Sequence, residues 1–185
     1  MFASDPPHYQ DGFRADSDNP KAKTLVFSER LGDKEGLFFI HGALHLFVGN
    51  GGLRKHCWSR SGEKLTDLIK NGLKAERYPL FVSEGTWDKK LDQIRRNGYL
   101  SYCYDKLGRI QGRVVVFGFS FGENDLHIQH KLADNGQITD LFVGLFGDSN
   151  SASNRKIQVA VSGIEERRKK LIVIAPKAFK QLNVH

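Results

Sequence analysis

Short apolar runs, each closed by a small or turn-forming residue and followed by a stretch with helical spacing, limit most strongly what this chain can fold into. Leu37-Phe38-Phe39-Ile40 ends at His41-Gly42, and Pro79-Leu80-Phe81-Val82 ends at Ser83-Glu84-Gly85. Val114-Val115-Val116-Phe117 is followed by Gly118-Phe119-Ser120-Phe121-Gly122, Leu141 to Phe146 by Gly147-Asp148, and Leu171 to Ala175 is the last run. Continuous apolar runs of this length read as strands buried on both faces, which is the habit of parallel sheets. Between them Leu65, Leu68, Ile69 and Leu73 fall on one helical face. A second helix is expected from Asp88, with Leu91 and Ile94 inward, interrupted at Asn97-Gly98 and continuing to Leu107. A third is expected from Asn124 to Asp134. A fourth is expected from Ser149 to Lys170, although Ile157 to Val161 also alternates as a strand would. Strands alternating with helices predict an α/β fold, mostly parallel and covered on both faces. Residues 1–35 show neither period and are expected to form an irregular arm; residues 36–185 are expected to form one α/β domain.

Composition narrows the function classes. With 185 residues, 39% hydrophobic and 26% charged, the chain can bury a core. No apolar stretch approaches the ~20 residues that span a bilayer, and the N-terminus lacks the pattern of a secretory signal. A cytoplasmic protein without a membrane partner is the expectation. Cys57 and Cys103 form no Cys-x-x-Cys pair and read as reduced thiols. The 28 Lys+Arg exceed the 21 Asp+Glu, for a net charge of +7. The run Arg167-Arg168-Lys169-Lys170 reads as the basic end of a helix, which complements the helix dipole. Without interleaved stacking aromatics or a known binding motif, nucleic acid is not an expected partner.

In parallel sheets ligands sit outside the carboxyl ends of the strands, so the loops named above are where chemistry is sought. Gly118-x-Ser120-x-Gly122 has the form of a nucleophile elbow, His41-Gly42 is similar to an oxyanion loop, and Asp148 follows Ser120 in the order of an α/β-hydrolase. The serine-hydrolase (esterase) reading lacks its histidine, since after Asp148 only His185 remains. It also wants a helix that begins at the serine, whereas Asn124 or Asp125 is the better cap. His41 with His45, and Asp125 with His127 and His130, each fall short of the converging ligands a metal needs, so no metal is expected. Neither a P-loop nor a G-x-G-x-x-G fingerprint is present. Gly118-Phe119-Ser120 still offers backbone N–H groups and a hydroxyl to a ribose or phosphate, with a helix N-terminus behind. A non-enzymatic interaction module with a basic face is the third alternative.

Three motifs in order carry a resemblance: Phe38-Phe39-Ile40-His41-Gly42-Ala43-Leu44-His45-Leu46-Phe47, Pro79-Leu80-Phe81-Val82-Ser83-Glu84-Gly85-Thr86, and Val116-Phe117-Gly118-Phe119-Ser120-Phe121-Gly122-Glu123-Asn124-Asp125-Leu126-His127-Ile128. Together with Asp11-Gly12-Phe13 they resemble an uncharacterised bacterial family, a domain of unknown function related to sirtuin-like NAD-binding domains. The resemblance implies a three-layer, Rossmann-like, mostly parallel sheet, with NAD as substrate or ligand and NAD glycohydrolase-like hydrolysis as the activity. It implies His41 as general base near the nicotinamide ribose, and Gly118 and Ser120 as contacts to the ribose or phosphates. Gly42, Asn124 and Asp125, in the same motifs, are counted as cofactor contacts, and Asp148 as the contact on the adenosine side. In sirtuin-like domains a strand and a glycine-rich turn precede the position of Asp11-Gly12-Phe13, and ten residues stand there in this chain. The resemblance therefore covers the C-terminal two thirds and implies either a fragment or a degenerate relative, with a sheet that lacks its N-terminal strands. Self-association, or a partner that completes the sheet, is the corresponding expectation.

Overall fold

The computed structural model describes residues 11–28, 36–49, 51–165 and 172–174. The chain divides into two compact units, Met1–Ser83 with Ile94–Cys103, and Glu84–Gln93 with Tyr104–His185. Helices and sheets are mixed, as the α/β pattern predicts.

The first unit carries β1 (Phe13–Ala15), β2 (Thr24–Phe27), β3 (Gly42–Gly49), β4 (Gly52–His56) and β5 (Pro79–Phe81). They form one sheet in the order β1-β2-β4-β3-β5 with every pairing antiparallel. This corrects the expectation of a Rossmann-like, mostly parallel sheet for this half of the chain. Leu37 to Ile40 is not the strand: the Gly42 N–H bonds the Phe39 carbonyl at 2.9 Å, so the chain turns there and the strand begins at Gly42. An apolar run alone does not separate a buried strand from the approach to one. β3 and β4 close as a hairpin in which Gly51 and Gly52 take φ of 82° and 115°, values that glycine adopts freely. β1 and β2 lie where an irregular arm was expected. They are held by Phe13 and Phe27, opposite one another in register, both against the Tyr99 ring. Asp16 pairs with Arg54 at 2.7 Å and Asp11 with Lys55, tying the first strands to β4. After the short α1 (Trp58–Ser61), α2 (Leu65–Lys74) matches the predicted amphipathic helix and buries Leu68.

The predicted helical stretch after Asp88 becomes α3 (Trp87–Arg96) and α4 (Gly98–Leu107), divided where Asn97-Gly98 indicated. The Asn97 side chain accepts the Leu100 N–H at 3.1 Å and so caps α4.

The second unit is the parallel one. β6 (Gly112–Val116), β7 (Ile138–Gly144) and β8 (Ile172–Ile174) lie in the order β6-β7-β8. A 3-10 turn (Glu123–Asp125) and α5 (Leu126–Asp134) join the first pair, and α6 (Ala152–Glu165) joins the second. Leu141 and Val143 of the central strand pack with Phe121, Ala133, Val161 and Ile164. The strand-like alternation of Ile157 to Val161 is overridden, because the Ile157, Ala160, Val161 and Ile164 spacing buries a helical face in that core. The basic run from Arg167 to Lys170, the outer residues of the arm (1–10 and 29–35), and Leu171 and Ala175 at the ends of the last apolar run lie outside the described residues. No described helix is long and apolar enough to cross a membrane.

Candidate functional site

β6 is Val-rich and β-branched, and it delivers the chain to a loop with two unusual backbone conformations. Gly118 has φ of 69°, and Phe121 has φ of 53°, a region that bulky residues avoid. The Phe121 ring is buried in the core of the second unit, 4.7 Å from the Phe119 ring centroid, and this anchorage holds the strained residue. Gln129, buried on α5, donates to the Gly122 carbonyl at 2.9 Å, fixing the loop to the helix that follows. The tight bend therefore falls at Phe121 and not at Ser120, and α5 starts only at Leu126. A nucleophile elbow places the serine itself on the strained turn and starts the helix there. The loop has the sequence form of that motif without its geometry.

Asp125, at the foot of α5, accepts a hydrogen bond from Lys90 of α3 at 2.9 Å. The Lys90 side chain is only 9% exposed, so its ammonium group depends on this carboxylate. Two residues further on, His127 is buried, and its carbonyl accepts the Tyr104 hydroxyl at 2.9 Å.

The loop after β7 is closed by its own residues. The Asp148 carboxylate accepts the Asn150 N–H at 2.9 Å, and the Ser151 hydroxyl accepts the Asn154 N–H at 3.3 Å. Buried Asn154 reaches back from α6 to the carbonyls of Phe146 and Asp148, and Gln158 reaches that of Ser149. Asp148 is thereby engaged in forming the turn.

A cavity of about 1030 Å³ opens between the loop after β6 and the first turns of α6. Ser120, Asn124 and Asp125 line it from the loop; Lys90, Arg155 and Lys156 supply its cations; Ile157, Val159 and Ala160 give it an apolar side. Its size and its mix of an apolar wall with a few polar groups are those of a small-ligand site. Of the residues expected to bind cofactor, Ser120, Asn124 and Asp125 are brought together on this wall, while Gly118 and Asp148 do not line it. Sequence reading missed Lys90, Arg155 and Lys156. Basic residues on helices are ordinarily solvated, and only folding shows which of them face a cavity.

His41 and Gly42 belong to the first unit. His41 is partly buried, and its carbonyl accepts the Val82 N–H at 2.8 Å. Gly42 has a backbone role: with φ of 74°, a Cβ there would stand 2.0 Å from the Leu80 carbonyl oxygen of the paired strand. In the same unit burial pushes the Cys103 thiol up to about 11, which makes it a poor nucleophile. Burial likewise raises the buried Tyr99 hydroxyl, to which the Phe39 N–H donates at 3.4 Å.

These features define a mixed α/β protein with a polar, cation-bearing cavity beside a strand-end loop of its parallel sheet. The chain belongs to the domain-of-unknown-function family DUF4917, whose model matches residues 3–172. No curated protein and no solved structure matches it.

Proposed function

We propose that this chain binds a nucleotide of the NAD or ADP-ribose kind in the cavity of its second unit, as a relative of the sirtuin-like domains. The observation that carries the reading is the cavity itself, formed by Ser120, Asn124 and Asp125 after a parallel strand and by the start of α6. Strand-end loops of parallel sheets are where such ligands bind. Hydroxyl, amide and carboxylate groups suit the ribose hydroxyls, and the apolar side suits a base. The activity attached to this reading is cleavage of NAD with release of nicotinamide. The resemblance to sirtuin-like domains gives the role of general base to His41, a residue of the first unit that does not line this cavity, because a neutral imidazole can take a proton from a ribose hydroxyl or an attacking water.

Calorimetric titration with NAD and with ADP-ribose, following free nicotinamide in the same samples, tests both parts. Binding of both ligands is expected, weakened about threefold to tenfold in Ser120→Ala by the loss of one hydrogen bond. His41→Ala should end nicotinamide release and leave ADP-ribose binding in place. Failure of both ligands to bind would sink the reading. Turnover that persists in His41→Ala would remove only the role of the base.

A further inference from the structure

The cavity's charge asks for more than a ribose. Five ionisable side chains line it: Lys90, Arg155 and Lys156 against Glu123 and Asp125. Lys90 and Asp125 neutralise each other at 2.9 Å. Glu123, Arg155 and Lys156 are all exposed, and Arg155 and Lys156, adjacent on α6, have no ion-pair partner among the described residues. Their position is unfavourable for the helix alone: α6 starts at Ala152 with no acidic residue in its first turn, so both cations stand near the positive end of the helix dipole. A local rule broken beside a cavity, with no ion pair among the described residues to offset it, is what a ligand supplying negative charge would answer.

We propose that the pocket selects its nucleotide by the diphosphate, with Arg155 and Lys156 taking the phosphate oxygens while the Lys90–Asp125 pair keeps the Asp125 carboxylate turned to the ribose. This rests on the nucleotide reading above and assigns the phosphate side of the site to α6. An anionic group there would meet two side-chain cations, with an arginine able to donate two parallel hydrogen bonds. Without phosphates the two exposed cations are left to water and to exposed Glu123.

The test titrates the full chain, and its Arg155→Gln/Lys156→Gln variant, with ADP-ribose, adenosine and inorganic pyrophosphate at low and moderate salt. For the wild type, ADP-ribose should bind about a hundredfold more tightly than adenosine, pyrophosphate should compete with it, and affinity should fall as salt rises. The variant should lose about thirtyfold in ADP-ribose affinity, hold adenosine unchanged, and melt at the same temperature or higher, since the helix start is relieved of two cations. Adenosine and ADP-ribose binding alike, or a variant that binds ADP-ribose as the wild type does, would overturn the inference and leave the nucleotide reading standing. If neither ADP-ribose nor adenosine binds, the nucleotide reading falls and the inference falls with it.

Discussion

In the first unit every strand pairing is antiparallel, and β3 and β4 turn through adjacent glycines. In the second both pairings are parallel, and each strand reaches the next through a helix. Hairpin pairing puts turns at both ends of a sheet. Parallel pairing with helical crossovers sends every strand the same way, so the loops that leave the strands collect at one edge. The second unit's cavity of about 1030 Å³ lies at that edge, whereas the first unit's, about 650 Å³, is lined by β1, the end of β2 and the residues that follow each. Glycine also serves the two differently: at Gly42 it admits a neighbouring strand, and at Gly118 it starts a loop with open space around it.

The largest effect should come from Gly42→Ala. The new methyl would have to displace the Leu80 carbonyl in a backbone conformation that alanine resists, a loss of about 4 kcal/mol. Hydrogen exchange should show lost protection in β3 and β5. A stability within about 1 kcal/mol of wild type would mean that the close approach of these strands is not what the glycine serves. The counterpart is Leu141→Ala, which empties a fully buried position in the central parallel strand and should cost about 3 kcal/mol in denaturant unfolding. If each variant loses protection only in its own unit, the two fold as separate cooperative bodies. If both lose it everywhere, the division is geometric and not energetic.

Next comes the ion pair beside the cavity. Asp125→Ala leaves the Lys90 ammonium buried without its partner and should cost about 2 kcal/mol, whereas Asp125→Asn keeps an acceptor and should cost less. Equal losses in the two variants would show that the charge pairing adds nothing beyond the hydrogen bond.

The second unit was far more legible in the sequence than the first. β6, α5, β7, α6 and β8 all fall where apolar runs and helical spacing placed them, because a strand buried on both faces and a helix with one wet face leave clear periods. β1, β2 and β4 were missed although β1 pairs with the next strand and β4 closes a hairpin with β3: β1 and β4 mix charged and apolar types, and β1 and β2 are only three and four residues long, so no period marks them. The site was half legible. Ser120, Asn124 and Asp125 share a short motif on one loop, and the motif could be read. Lys90 and the pair Arg155 and Lys156 come from helices distant in sequence, and only the fold brings them to the same wall.

The smallest effect separates the units by pH. His56 in the first unit is buried and stacked on the Phe47 ring, with centroids 4.5 Å apart. Burial holds its pKa below the ordinary histidine value, and Arg77 and His45 push it in the same direction. His45 is lowered as well, first by burial and then by Lys55, against a smaller opposing pull from Asp11. Between the depressed folded value and the unfolded value near 6.5, the unfolded chain binds more protons than the native one. The stability these imidazoles contribute is therefore present above that value and is lost as pH falls below it. Thermal melts from pH 7.5 to 5.5 should show a falling midpoint in wild type and a shallower fall in His56→Gln. Parallel curves would take His56 out of the account and leave His45 to explain any acid sensitivity of the first unit.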